Sequence, residues 1–222
     1  MEKQEKYFMM LSGLFIGLLV IANIIATKII TISIAGYSFF VPAAVLAYAL
    51  TFTITDIISE IWGKEKTNWL VLVGFITSVV SAALIKLAIV LPNAPFWQAQ
   101  KAFETILGAN LRITLAGMIA YIISQYHDVW SFHYLRNKTQ GKKLWLRNNV
   151  STAISQFLDT TIFITIAFYG VIPNIGTMIL SQYAVKLLIA LMDTPIVYLM
   201  VYIINKNIKK TLWAKSELTM QK

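Results

Sequence analysis

The stretch YFMMLSGLFIGLLVIANIIAT, residues 7–27, runs for 21 residues without one charged side chain. At about 1.5 Å of rise per helical residue it reaches across a hydrocarbon core of roughly 30 Å. A helix that is apolar on every side needs an apolar solvent or a large protein interior around it. The preceding MEKQEK is basic enough to resemble the start of a secretion signal. The stretch ends without a small-residue cleavage motif, which favours a helix that is retained.

Working outward, the same pattern recurs. Of 222 residues, 58% are hydrophobic, and the 19 Lys and Arg plus 10 Asp and Glu make only 13% charge. A soluble domain carries roughly 25%. Further apolar segments are predicted at about 39–62, 69–91, 103–125, 150–170 and 175–204. A short connection at 28–38, Gly63, the proline-rich LPNAPFW at 91–97 and VIPN at 171–174 separate them. Pro195 permits a kink in the last segment. The sequence thus predicts an all-α integral membrane protein, one transmembrane domain over 1–222 with six transmembrane helices and no strong internal repeat.

Six spans put both termini on one side, and the basic residues say which. Lys3, Lys6, Lys64, Lys66, Arg136, Lys138, Lys142, Lys143, Arg147, Lys206, Lys209, Lys210, Lys215 and Lys222 share the termini's side, 14 of the 19 Lys and Arg. The opposite loops hold only Lys28 and Lys101. By the positive-inside rule both termini are expected to be cytoplasmic. The net charge of +9 is therefore first a statement about topology. The basic loop at 126–149 interleaves aromatic and basic residues, as a nucleic-acid patch can. Trp130, Phe132, Tyr134 and Trp145 suit lipid headgroups better, and no nucleic-acid partner is expected.

Several chemistries fall away. The chain has no cysteine and two histidines, His127 and His133, so thiolate sites and histidine-rich metal centres are excluded. No HExxH, Walker loop or serine elbow occurs. No filter-like carbonyl sequence or ring of one charge marks an ion channel. Neither metal nor cofactor is expected, and the chain reads as a transporter, not an enzyme.

The polar residues inside the spans carry the functional argument, because charge at bilayer depth costs several kcal/mol and usually faces a cavity. Asn23 lies in span one. Asp56 and Glu60 share a helical face in span two, with Thr51, Thr53 and Thr55 nearby. Lys86 lies in span three, Glu104, Arg112 and Gln125 in span four. Ser155, Gln156 and Asp159 lie in span five, and Gln182, Lys186 and Asp193 in span six. Acid–base partners such as Asp56 with Arg112, or Asp159 with Lys186, would simply neutralise each other in a structural reading. Buried pairs rarely repay their desolvation, and a collection drawn from so many spans suits a shared polar cavity. Glu60 is near Gly63 and suits a wet helix end; Lys86 and Glu104 suit the interface.

In order and spacing, Asn23, TDIISEIWG at 55–63, the Arg112 region, QYHDVWSFHYLRNKTQGKKLWLRNNVSTAISQFLDT at 125–160 and QYAVKLLIALMDTPIVY at 182–198 resemble the queuosine precursor transporters, also called the VUT family of "putative vitamin uptake transporters". Trp62 departs from the tyrosine common before the glycine of the TD…E…G segment. The resemblance implies import of the 7-deazaguanines preQ0 and preQ1 for queuosine in transfer RNA.

Such a base offers an N1–H and an exocyclic amine together, which one carboxylate can accept. Asp159 or Asp56 would supply that fork. Asn23, Gln156 or Gln182 would satisfy the remaining edge, with Arg112 and Lys186 holding the acids in place. Phe52, Phe157, Phe163 and Tyr183 are stacking candidates. Proton coupling through Asp56 or Glu60 and simple facilitated diffusion both fit. Two other readings remain open. The first is a substrate-binding subunit that needs an energising ATPase module, docked through small residues such as Gly13 and Gly17, which would equally serve a homo-oligomer. The second is a membrane enzyme acting on an amphiphile.

Overall fold

The computed structural model describes residues 3–26, 28–34, 37–108, 111–170 and 174–220, with side chains except at 29, 34, 37–40, 111–114 and 208–220. The elements are α1 (Lys3–Ile25), β1 (Ile29–Ile34), β2 (Tyr37–Pro42), α2 (Val45–Trp62), α3 (Lys64–Val90), α4 (Gln100–Leu107), α5 (Leu111–Lys138), α6 (Leu144–Phe168) and α7 (Ile175–Met220). Among the described residues, five helices are long and apolar enough to cross a membrane: α1, α2, α3, α6 and Ile175–Asn207 of α7.

Its burial pattern reverses that of a soluble protein. Leu46, Leu84, Leu87, Val90, Leu180, Leu188, Met192 and Leu199 are exposed, while Asp56, Asp128, Gln125 and Arg147 are at most 1% exposed. Apolar atoms outside and charge inside is the arrangement a lipid solvent selects. The chain is a multi-pass, all-α integral membrane protein.

The apolar core sits where α1 meets the other helices. Leu11, Phe15 and Leu19 recur at four-residue spacing on α1 and pack with Ile54, Ile57 and Ile58 of α2. Leu70 and Val71 of α3, Tyr121 and Val129 of α5, and Val197 and Ile204 of α7 complete it. Between α2 and α3 stands Gly63 alone, at φ 84°. Its N–H bonds the carbonyl of Ser59 at 3.2 Å, ending α2 in a left-handed conformation that costs glycine nothing.

The structure moves several predicted boundaries. Residues 39–42 belong to a strand, and α2 begins only at Val45. The connection expected at 28–38 forms most of an antiparallel hairpin, registered from Ile29 opposite Pro42 to Ile34 opposite Tyr37. IITISI and YSFFVP are rich in β-branched and aromatic residues, which favour strands at the same hydropathy as a helix. Val41 packs with Val45 and with Val185 of α7. The predicted span 103–125 is two helices, since α4 ends at Gly108 and α5 starts afresh. The predicted loop 126–149 is helical at both ends, because α5 runs on to Lys138 and α6 starts at Leu144. Helix α7 continues through Pro195.

Candidate functional site

The site is built from inward-facing polar stripes. On α6, Arg147, Asn148, Ser151, Thr152, Ser155, Gln156, Asp159 and Thr160 are all buried. The recurrence follows the helical period, so one face of α6 is polar from its start to beyond its middle. Helix α5 answers with Ser124, Gln125, Asp128 and Ser131, also buried. Together with α2 and α7 they form three polar tiers along the bundle.

The first tier centres on Asp159. Its Oδ2 pairs with Lys186 Nζ at 2.6 Å, joining α6 to α7, and its Oδ1 accepts from Ser124 Oγ of α5 at 3.3 Å. Tyr48 of α2 lies within the field of Asp159 and donates its hydroxyl to Asn23 Oδ1 of α1 at 2.8 Å. Asp159 and Lys186 each keep 13% of the side chain exposed. Two buried amides occupy the same helices: Gln156 Oε1 on α6 and Gln182 Nε2 on α7 have no hydrogen-bond partner among the described residues. Gln156 lies one turn from Asp159, and Gln182 one turn from Lys186.

The second tier lies seven residues along α6, about 10 Å at 1.5 Å per residue. Thr152 Oγ1 donates to Asp56 Oδ2 of α2 at 3.1 Å, and Thr53 Oγ1 donates to Asp193 Oδ2 of α7 at 2.6 Å. Asp56 stands against Asp128 of α5 and within the field of Asp193. Three buried carboxyl groups from three helices thus meet beside serine and threonine hydroxyls, and none has an ion-pair partner among the described residues. No group of His, Cys, Asp and Glu suited to a metal ion occurs among the described residues.

The third tier closes the bundle at the α2–α3 and α5–α6 turns. Glu60 pairs with Arg147 Nη2, and Arg136 Nη1 lies 4.0 Å from the same carboxylate oxygen. Arg136 also donates to the carbonyls of Ser59 and Glu60, at 3.3 and 3.4 Å.

Of the residues singled out from sequence, Asp159 and Lys186 pair in the first tier, with Gln156 and Gln182 one turn away, and the exposed Asn23 joins them only through Tyr48. Asp56 belongs to the second tier and Glu60 to the third. The side chain of Arg112 lies outside the described residues. Phe52 is buried, at 2% exposed. Phe157 and Tyr183 meet edge to face at 5.3 Å, with Phe157 facing outward at 42% exposure. Phe163 pairs edge-on with Phe168. Sequence reasoning missed Tyr48, Ser124 and Asp128 as members of the interior. The loop predicted at 126–149 includes Asp128, although Ser124, Asp128 and Ser131 follow one helical face.

The arrangement can bind a polar, planar solute. Asp159 accepts, Lys186 and Tyr48 donate, and the two amides can offer both. His127 of α5 reaches the same face of α6, its Nδ1 lying 3.0 Å from Ser155 Oγ. A family described as "Putative vitamin uptake transporter" matches residues 42–200. A Bacillus subtilis (strain 168) protein described as a "Probable queuosine precursor transporter" is 33% identical over 154 residues, 68% of this chain and 67% of that protein. A Haemophilus influenzae (strain ATCC 51907 / DSM 11121 / KW20 / Rd) protein of the same description is 27% identical over 136 residues. That match covers 60% of this chain and 54% of the relative. No solved structure matches the chain.

Proposed function

We propose that this chain, which belongs to the "putative vitamin uptake transporter" family, imports queuosine precursors, the 7-deazaguanines preQ0 and preQ1, by alternating access around the first tier. The observation that carries this reading is the pair of buried, unpartnered amide atoms, Gln156 Oε1 and Gln182 Nε2, beside the Asp159–Lys186 pair. A buried polar atom without a partner costs about 1–3 kcal/mol. A guanine-like edge would satisfy both, taking a donor at its carbonyl and giving N–H groups to Gln156 and Asp159. The names of the two relatives support the same solute class.

Six crossings, α1, α2, α3, α5, α6 and α7, with both termini cytoplasmic, accord with the clustering of basic residues. Helix α5 carries the buried Ser124, Gln125 and Asp128, consistent with lining the path. The chain works as one transport domain in the cytoplasmic membrane, and Gly13 and Gly17 of α1, which have nothing within 4 Å, leave a close-packing face for a second subunit.

Uptake of labelled preQ0 and preQ1 into vesicles holding only this protein tests the proposal. Saturable uptake is expected without any ATPase subunit; its absence would refute the stand-alone carrier. Asp159→Asn leaves Lys186 without its counter-charge and weakens the fork, so initial uptake should fall about tenfold to a hundredfold, the worth of a charged hydrogen bond of about 1.5–3 kcal/mol. Wild-type rates in a correctly inserted variant would remove Asp159 from the site.

A further inference from the structure

Among the described residues Arg147 is the largest fully buried side chain, at 1% exposed, and the transport reading gives it no role. It opens α6, and everything around it ties two turns together. Its Nη1 donates to the carbonyls of Gly141 and Lys142 at 2.8 and 3.2 Å. Those residues belong to a turn in which Gln140, Gly141 and Lys143 all have positive φ, at 51°, 74° and 57°. Its guanidinium lies over the Phe132 ring of α5 at 5.4 Å. From there it pairs with Glu60 at the end of α2, one helical turn from Asp56. Arg136 reinforces the contact from α5 by holding the Ser59 and Glu60 carbonyls.

Exposure is uneven along the same axis. Asp159 is 9% exposed, Asp56 and Arg147 are each 1% and Ser151 is 0%, while the Glu60 side chain at the inner end keeps 17%. The polar path is therefore closed from Asp56 to Arg147, just behind the surface that Glu60 reaches. At the third tier the seal is a charge pair between helices that otherwise meet through side-chain hydrogen bonds, such as Asp56 with Thr152. A charge pair suits a contact that must separate and reform, because water solvates both partners once it enters.

We propose that the Glu60–Arg147 pair, backed by Arg136, is the latch that closes the inner end of the polar path and must part for the solute to leave. The proposal rests on the transport reading. In a two-state carrier, removing a contact present in one state only shifts the population toward the other. Loss of the latch should open the inner end and correspondingly close the outer one.

The chain has no cysteine, so single thiols report each end. Ser151→Cys lies one turn behind the latch on α6; Asn23→Cys lies in the first tier. Each is labelled with a charged, membrane-impermeant methanethiosulfonate on the full-length protein in vesicles, with and without preQ1. Adding Glu60→Gln should speed labelling at position 151 about tenfold and slow it at position 23. Arg147→Gln should do the same if it elutes as a folded protein, and Glu60→Gln decides alone if it does not. In the parent, preQ1 should raise labelling at 151. Parental labelling rates at both positions in Glu60→Gln would overturn the latch, as would faster labelling at both, since that is loosening and not a shift. Absent preQ1 uptake together with reciprocal labelling would refute the solute assignment and leave the latch supported.

Discussion

Gln182 shows how function and stability separate at single residues. Its Nε2 is buried on α7 without a partner among the described residues, so the folded protein carries a desolvation cost that only a ligand relieves. Replacing such a group with an apolar one of similar size is neutral or stabilising. Gln182→Leu should therefore keep or raise the Tm in detergent while raising the KM for preQ0 about tenfold; a lower Tm with unchanged KM would make the amide structural. A contact with Asp56 would separate the two solutes. The aminomethyl group of preQ1 is a cation and the nitrile of preQ0 is not, so a solute reaching the second tier, with Asp56, Asp128 and Asp193 in one another's fields, would gain there only as preQ1. Asp56→Asn retains an acceptor for Thr152 and should reduce preQ1 uptake roughly tenfold while leaving preQ0 within about twofold. Equal losses would place Asp56 in the common contact. The acids Asp56 and Asp159 were legible in the sequence because charge is rare in apolar runs. Tyr48 and Ser124 were not, because a tyrosine or serine in a span is ordinary until its partner across the bundle is known.

Among the elements, α3 makes the closest approach to its neighbours at Gly74. A β-carbon there would lie 2.7 Å from the Tyr121 hydroxyl of α5 and 2.8 Å from Phe15 Cε1 of α1. Neither can yield easily, since Phe15 is 0% exposed and the Tyr121 hydroxyl is bonded to the Val71 carbonyl at 3.1 Å. Gly74→Ala should destabilise the bundle by about 1–3 kcal/mol through overpacking, read as a lowered Tm in detergent. An unchanged Tm would mean that α3 can move away at no cost. The segments that escaped the sequence reading share a cause. Hydropathy counts composition, so IITISI and YSFFVP added to an apolar total although their residue types favour a hairpin. The extension of α5 was hidden for the opposite reason: His127, Asp128 and Ser131 look like a loop by polarity. Their spacing from Ser124 was the available signal, because a polar face turned inward has the same period as one turned to water. The long apolar helices α1 and α3 were legible because their composition alone sufficed.

At the scale of the whole molecule, the +9 charge and the tiers describe one asymmetry. Basic residues crowd the end where Glu60, Arg136 and Arg147 meet, and the tier farthest from them holds the Asp159–Lys186 pair. With the basic end cytoplasmic, the first tier would face the entry and the latch the exit, as an importer requires. The opposite orientation would turn the same tiers into an export path. Two single thiols on the cysteine-free chain decide between these orientations. Lys142 in the α5–α6 turn and Gln98 between α3 and α4 are both exposed, and neither side chain contributes to a tier. Lys142→Cys should resist a membrane-impermeant maleimide in intact cells and react in inside-out vesicles. Gln98→Cys should do the reverse. Both thiols reacting from the same side would break the six-crossing arrangement, because one crossing, α5, separates residue 98 from residue 142 and must place them on opposite faces. A clean exchange of the two patterns would keep the crossings and invert the direction of transport, placing Glu60 and Arg147 at the entry.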